Sequence, residues 1–240
     1  IHYIIGTEFD VALNTTLNVE TYYKDFRQLT SMNRNQVFSS EEAPAGTPEI
    51  EMKDFMVESG DAYGLDISIK YDSHRWYLWG AYSLGYVSRN FEDAEGEIHT
   101  YRTHYDRRHN VNLLATYTAG AKNQWEISAR WNFGTGFPFT KVTGFYEELP
   151  YDNIDFDPYT ESGNLGILYD ELNTGQLPTY HRLDIDIKRK FYFTENVHLE
   201  ANFGITNVYN RENIFYIDIV TAQSIYQLPL MPSLGLTLSF

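Results

Sequence analysis

The side chains able to do chemistry are few and scattered. His104, Asp106, His109, His181 and Asp184 could supply a His–Asp pair of the kind used in general acid–base catalysis. A lone histidine near a strand end is more often a hydrogen-bonding belt residue, so no catalytic site is expected. His99, His104 and His109 are five apart, which on a strand sends them to alternate faces and argues against a shared metal. Cysteine is absent, excluding disulfides and thiolate metal sites, and there is no GxGxxG, P-loop or GxSxG. Neither cofactor nor metal is expected. The chemistry that does have a pattern is ionic. Glu126 and Arg130 alternate with Trp125, Ile127 and Trp131, Asp184, Asp186 and Lys188 alternate with Leu183, Ile185 and Ile187, and Arg182 and Glu200 fit the same scheme. Spacing of two places such charges on one face of a strand and the apolar residues on the other.

The elements that would position these charges are long strands. Alternation runs through Tyr3–Leu13, Leu17–Tyr23, Leu65–Tyr71, Trp76–Tyr86, Val111–Tyr117, Trp125–Phe133, Leu183–Phe191 and Val197–Ile205. It closes on PLMPSLGLTLSF, where Leu234, Leu236, Leu238 and Phe240 alternate with small or polar residues. That makes about nine strands of roughly 10–13 residues, longer than ordinary globular strands and long enough to cross a bilayer at a tilt. Their greasy face could meet a packed core, as in a soluble β-sandwich, or lipid, as in a membrane barrel. No apolar run approaches the length of a spanning helix, and the mean hydropathy is −0.43, but a β-barrel escapes that test. Twenty Tyr, 15 Phe and 16 Gly suit strands joined by turns.

Connections decide between the two. Leu13–Thr15, Asp72–His74, Ala119–Lys122 and Tyr192–Asn196 read as tight turns, and between them lie long links near 28–58, 88–104, 135–178 and 209–228. Strict alternation of short and long connections is the habit of outer-membrane barrels, with periplasmic turns and extracellular loops. Those links hold 20 of the 33 acids and 6 of the 18 Lys and Arg, so they carry −14 of the net −15. Such a balance argues against a nucleic-acid partner. Aromatic girdles are expected at Tyr71, Phe191 and Tyr192 below and at Tyr86, Phe133 and Tyr209 above. The link 135–178 carries eight aromatics and eight acids against one Lys, so it is expected to fold over the mouth and to offer Tyr146 and Tyr151 to a neutral or cationic cargo.

The stretches DRRHNVNLLATYT, WNFGTGFPFT, PTYHRLDIDIKRKF and GITNVYNRENIF, with the Phe-terminated last strand, resemble the C-terminal barrel of TonB-dependent outer-membrane transporters, in wording closest to Bacteroidota-type receptors. The resemblance implies an all-β transmembrane antiparallel barrel of 22 strands around a plug, of which residues 1–240 would be the last nine. It implies energised uptake of a siderophore, cobalamin, peptide or sugar, with TonB engaging a segment outside these residues. The chain opens inside an apolar alternation and reads as a mature chain or part of one. The plug and about thirteen earlier strands are expected elsewhere, Arg130, Arg182, Asp184, Asp186, Lys188 and Glu200 would face lumen and plug, and Phe240 would belong to the signal read by the barrel-assembly machinery. A passive porin or small complete barrel, and a barrel enzyme, are the alternatives.

Overall fold

The structure is a computed structural model and describes residues 1–32, 53–93, 96–148, 163–194, 197–218 and 220–240. Its strands are β1 His2–Ala12, β2 Thr15–Met32, β3 Phe55–Asp72, β4 Trp76–Glu92, β5 Ile98–Arg102, β6 His109–Ala119, β7 Trp125–Gly134, β8 Pro138–Phe139, β9 Val142–Glu148, β10 Asn164–Tyr169, β11 Gly175–Gln176, β12 Tyr180–Tyr192, β13 His198–Thr206, β14 Ile214–Ile217, β15 Ser224–Tyr226 and β16 Met231–Ser239. Nine of them form one antiparallel meander, β1-β2-β3-β4-β6-β7-β12-β13-β16, and β5 pairs with the far end of β4. The expected nine strands and the tight turns at Leu13–Thr15, Asp72–His74 and Ala119–Lys122 are present, while Glu195 and Asn196 of the turn expected at Tyr192–Asn196 lie outside the described residues.

Each tight turn has a local cause. Asn14 supplies the positive φ of the two-residue β1–β2 turn, and Gly120 and Asn123 do so between β6 and β7. Ser73 Oγ accepts the Trp76 amide at 3.2 Å, and Thr194 Oγ1 accepts the Val197 amide at 3.1 Å. These bonds close the turns before β4 and β13.

Register carries the side-chain period across the sheet. Phe9, Leu17, Ile69, Gly80, Leu113, Trp131 and Leu183 lie opposite one another across seven strands. One residue along, Glu8, Asn18, Ser68, Ala81, Asn112, Asn132 and Arg182 form the matching row of the other face. A slip by one residue anywhere would interchange the faces. The polar face is not uniform, since Trp79 opposite Leu114 interrupts it.

Nothing among the described residues covers the apolar face. Of all the described Ala, Val, Leu, Ile, Met, Phe, Trp and Tyr residues, Ala62 alone is buried, while Ile5 is 76% exposed and Leu234 74%. In water this would be an apolar patch far beyond what soluble proteins expose. Aromatic rows bound it. Tyr3, Tyr23, Tyr63 and Tyr86 share one row, with the last two rings stacked at 4.9 Å. Trp76 packs on Tyr117 at 4.5 Å toward the opposite edge. From Trp76 to Tyr86 is about 33 Å along the strand, or roughly 25 Å of height at a 40° tilt, the apolar thickness of an outer-membrane barrel.

Two expectations need adjusting. The strands β2, β3 and β4 run to 17–18 residues, so the links 28–58 and 88–104 are partly strand. A register shift between Phe26 and Leu29 lets β2 continue as an extension beyond the tyrosine row. Tyr192, expected in the lower girdle, lies opposite His198 with the parity of the polar face.

Candidate functional site

On the polar face the charges meet. Asp184 lies opposite Arg130, Lys188 opposite Glu126 and Lys190 opposite Glu200. Arg182 Nη2 donates to Asp184 Oδ2 at 2.9 Å, and Arg130 approaches the same oxygen at 3.7 Å. Lys188 bridges Glu126 at 3.3 Å and Glu200 at 3.8 Å, and Lys190 reaches Glu200 at 3.7 Å. Asp186 lies opposite Ser128 and Gly204 in the same face. Arg130, Arg182, Asp184, Asp186, Lys188 and Glu200 thus share one surface, with Arg182 and Asp184 at the end nearest the long links.

Asp184 has a second task. Its Oδ1 accepts the backbone amide of Asn207 at 2.9 Å. Asn207 is fully buried at a positive φ, its amide nitrogen donates to the carbonyls of Arg211 and Leu228, and its oxygen accepts the Arg211 amide. Asn213 donates to the His181 carbonyl and accepts the His181 amide, and Asn210 Oδ1 accepts the Leu230 amide. Asn213 and the Asn207 amide thus tie the β13–β16 link to β12, while the Asn207 and Asn210 side chains close the link on itself and on the residues that lead into β16. Asn173 does the same for the longest link, donating to the Arg102 carbonyl at 2.6 Å while its own amide donates to Thr140 Oγ1. Sequence reasoning missed all four. The available signal was the repeated Asn in GITNVYNREN, because asparagine tolerates the left-handed conformation found at Asn173, Asn207 and Asn210.

The longest link is a hairpin rather than a structureless loop. β8 pairs with β11 and β9 with β10, so the chain leaves β7 and returns to β12 along a two-stranded arm. Gly136 is required at its root, since a Cβ there would overlap the Leu177 carbonyl. Tyr146 lies opposite Gly166 with its ring across that glycine, and both it and Phe145 remain nearly half exposed. Tyr151 lies outside the described residues. Where this arm, the β5–β6 link and the β14–β15 hairpin approach one another, a cavity of about 440 Å³ is lined by His104, Tyr105, Phe137, Phe139, Tyr169, Phe215 and Tyr216, among others. Beside it the Arg107 guanidinium lies 4.2 Å from the Phe137 ring centre, and burial lowers its pKa below the ordinary arginine value. Aromatic walls and one partly desolvated cation suit stacking on a planar group.

The catalytic candidates do not assemble. His109 bonds the Tyr82 hydroxyl at 2.8 Å and His181 the Tyr209 hydroxyl at 2.7 Å, while Asp106 is engaged by Arg102 and Arg108. The His–Asp contact that does form, His99 with Asp93, braces the β4–β5 turn, where Asp93 also accepts the Glu97 amide. Among the described residues no group of three or more His, Asp or Glu is placed to hold a metal ion.

No family model matches the sequence, and no curated protein matches it. Solved structures do match the fold. The pyoverdine outer-membrane receptor FpvA of Pseudomonas aeruginosa PAO1, bound to pyoverdine, aligns with a TM-score of 0.55 at 13% identity, covering 98% of this chain and 29% of that one. P. aeruginosa FpvA with a heterologous pyoverdine and iron gives 0.53 at 14% identity, over 99% and 26%. The complex of FpvAI with pyocin S2 gives 0.52 at 13%, over 99% and 25%. The chain thus spans about a quarter of the length of the receptors it matches and has the fold of a stretch of their barrel.

Proposed function

We propose that this chain is barrel wall and surface loops of a TonB-dependent outer-membrane transporter that draws a scarce nutrient across the outer membrane. The observation that carries this reading is the nine-strand meander whose whole apolar face is uncovered while all its long links gather at one end. Both sheet edges, β1 and β16, lack a second partner among the described residues, in keeping with further strands contributed by the rest of the protein. Likeness to outer-membrane receptors supports the same architecture.

In this reading the ionic ladder of Arg130, Arg182, Asp184, Asp186, Lys188 and Glu200 faces the lumen and a plug, the latched links surround the mouth, and Tyr146 and Tyr151 touch cargo there. The cargo is a siderophore, cobalamin, peptide or sugar. The solved relatives carry pyoverdine, a siderophore-type precedent. Phe240, 96% exposed at the end of the last strand, is read by the assembly machinery. A Bacteroidota-like source rests on the wording of the motifs alone.

Uptake by cells making the full-length protein tests the reading. Removal of TonB is expected to abolish high-affinity uptake, and Tyr146→Ala with Tyr151→Ala to weaken cargo binding at unchanged barrel levels. Uptake that survives without TonB would make the protein a passive porin instead.

A further inference from the structure

The long links hold most of the chain's acid, yet among the described residues no Asp, Glu, Lys or Arg lines the cavity of about 440 Å³ where three of these links meet. Its walls are rings with open faces. Tyr105, Phe137, Tyr169, Phe215 and Tyr216 are between 36% and 64% exposed, so packing within the described residues does not use them up. Anchors set the distance between those walls. Arg89 donates to the Tyr105 hydroxyl at 3.3 Å, the Leu177 amide donates to the Phe137 carbonyl at 2.9 Å, and the Gln227 amide ties the β14–β15 hairpin to the Asn213 carbonyl at 2.8 Å. A cavity with fixed walls gives up little conformational freedom when it is filled.

Two features say what fills it. The first is the charge behind Phe137. Arg107 lies across Gly134, where a Cβ would meet its guanidinium at 2.7 Å, and its Nε donates to the Thr135 carbonyl at 3.2 Å. Gly134 stands opposite Asn110 and Tyr180 with the parity of the polar face, so this charge is on the lumen side of the mouth. Arg102 and Arg108 share Asp106, whereas Arg107 has no ion pair among the described residues, and its Cζ stands 4.2 Å from the Phe137 ring centre. A cation on one face of a ring draws π density toward itself. The other face is left less negative and accepts an electron-rich ring face to face.

The second feature is a set of free polar groups. The side chains of His104, Tyr169 and Tyr216 make no hydrogen bond with the described residues, and Tyr105, whose oxygen accepts from Arg89, keeps its own proton to donate. An aliphatic group would meet neither feature, and a free carboxylate would be repelled by the acidic links on its way in.

We infer that this cavity holds an uncharged, hydroxylated aromatic ring of the cargo, stacked on Phe137 with its hydroxyls among His104, Tyr105 and Tyr216. The inference deepens the proposed uptake function and rests on it for the source of the ring.

Neutral glucosides that differ only in the attached ring test it by isothermal titration of the full-length protein in detergent: hydroxyphenyl, nitrophenyl and cyclohexyl glucoside. Wild type is expected to bind the hydroxyphenyl compound about tenfold more tightly than the cyclohexyl one, with the electron-poor nitrophenyl ring between them. Arg107→Gln should bring the hydroxyphenyl and nitrophenyl affinities together. Tyr216→Phe should weaken hydroxyphenyl binding and leave cyclohexyl binding as it was, and Lys122→Gln, in a tight turn at the opposite end of the wall, should change nothing. If Arg107→Gln does not assemble, as judged by heat-modifiable mobility, Phe137→Leu is scored by the same series and should lower hydroxyphenyl binding to the cyclohexyl level. Equal binding of the hydroxyphenyl and cyclohexyl compounds by wild type overturns the proposal, as does an order of affinities that survives intact in the assembled variants. The two readings fail separately. TonB-independent uptake with the ring order intact removes the transporter and leaves the site, whereas TonB-dependent uptake with a flat series removes the site alone.

Discussion

Two stretches of the same polar face handle charge in opposite ways. On β7, β12 and β13, opposite charges stand across from each other at Arg130–Asp184, Glu126–Lys188 and Lys190–Glu200, and side chains close those pairs. On β1 to β3, Glu20 stands directly across from Asp66, with Glu8 nearby on β1, and none of the three has an ion pair among the described residues. Like charges facing across a ladder are destabilising, by a few tenths to about 1 kcal/mol. The parity rule made both stretches polar, but only register decided which became self-neutralising. The C-terminal wall carries its own counter-ions, whereas the N-terminal wall leaves Glu8, Glu20 and Asp66 without one among the described residues.

The largest expected effect tests the faces on which this contrast depends. Leu236→Arg places a charge on the apolar side and should cost about 2–4 kcal/mol of barrel stability. Thr237→Arg lies opposite Glu200 on the polar side and should cost far less. Urea unfolding in vesicles measures both, and equal losses would dissolve the distinction between faces.

Next comes the contrast itself. Asp184→Ala leaves Arg182 and the Asn207 amide without their partner, and a loss of about 2–3 kcal/mol is expected. Glu20→Gln should be neutral or slightly stabilising in the same assay, since it relieves repulsion. A large loss at Glu20 would show that its carboxylate is already paired within the whole protein, and rising salt would then reduce that loss.

The smallest effect is at the rim. Asp218 accepts the Thr221 amide and hydroxyl, both at 2.7 Å, and the Val220 amide at 3.1 Å, and these bonds lower its pKa below the ordinary aspartate value. A depressed carboxyl stabilises the folded turn fully above the unfolded pKa, and that contribution disappears as pH falls through the folded value. Amide exchange at Thr221 should therefore lose protection only below the ordinary aspartate range, and Asp218→Asn should remove that pH dependence.

Much of this architecture was legible along the chain. Period-two alternation identified the nine wall strands, and its short interruptions placed the tight turns, because strand facing depends on residues next to each other. The six charges of the ladder were assignable to one face for the same reason. Their pairing was not, since which acid meets which base depends on register between strands up to 62 residues apart, as at Glu126 and Lys188. The extension of β2 past Phe26 required a bulge that no alternation announces. The asparagine latches escaped notice because each holds backbone of a distant segment, Asn173 reaching Arg102 across 71 positions. Composition said that the longest link was aromatic and acidic, but its folding into an arm beside a cavity followed only once both its ends were anchored on β7 and β12. Local periodicity is written in neighbours, whereas register, latches and cavities are agreements between segments that meet only when the chain has folded.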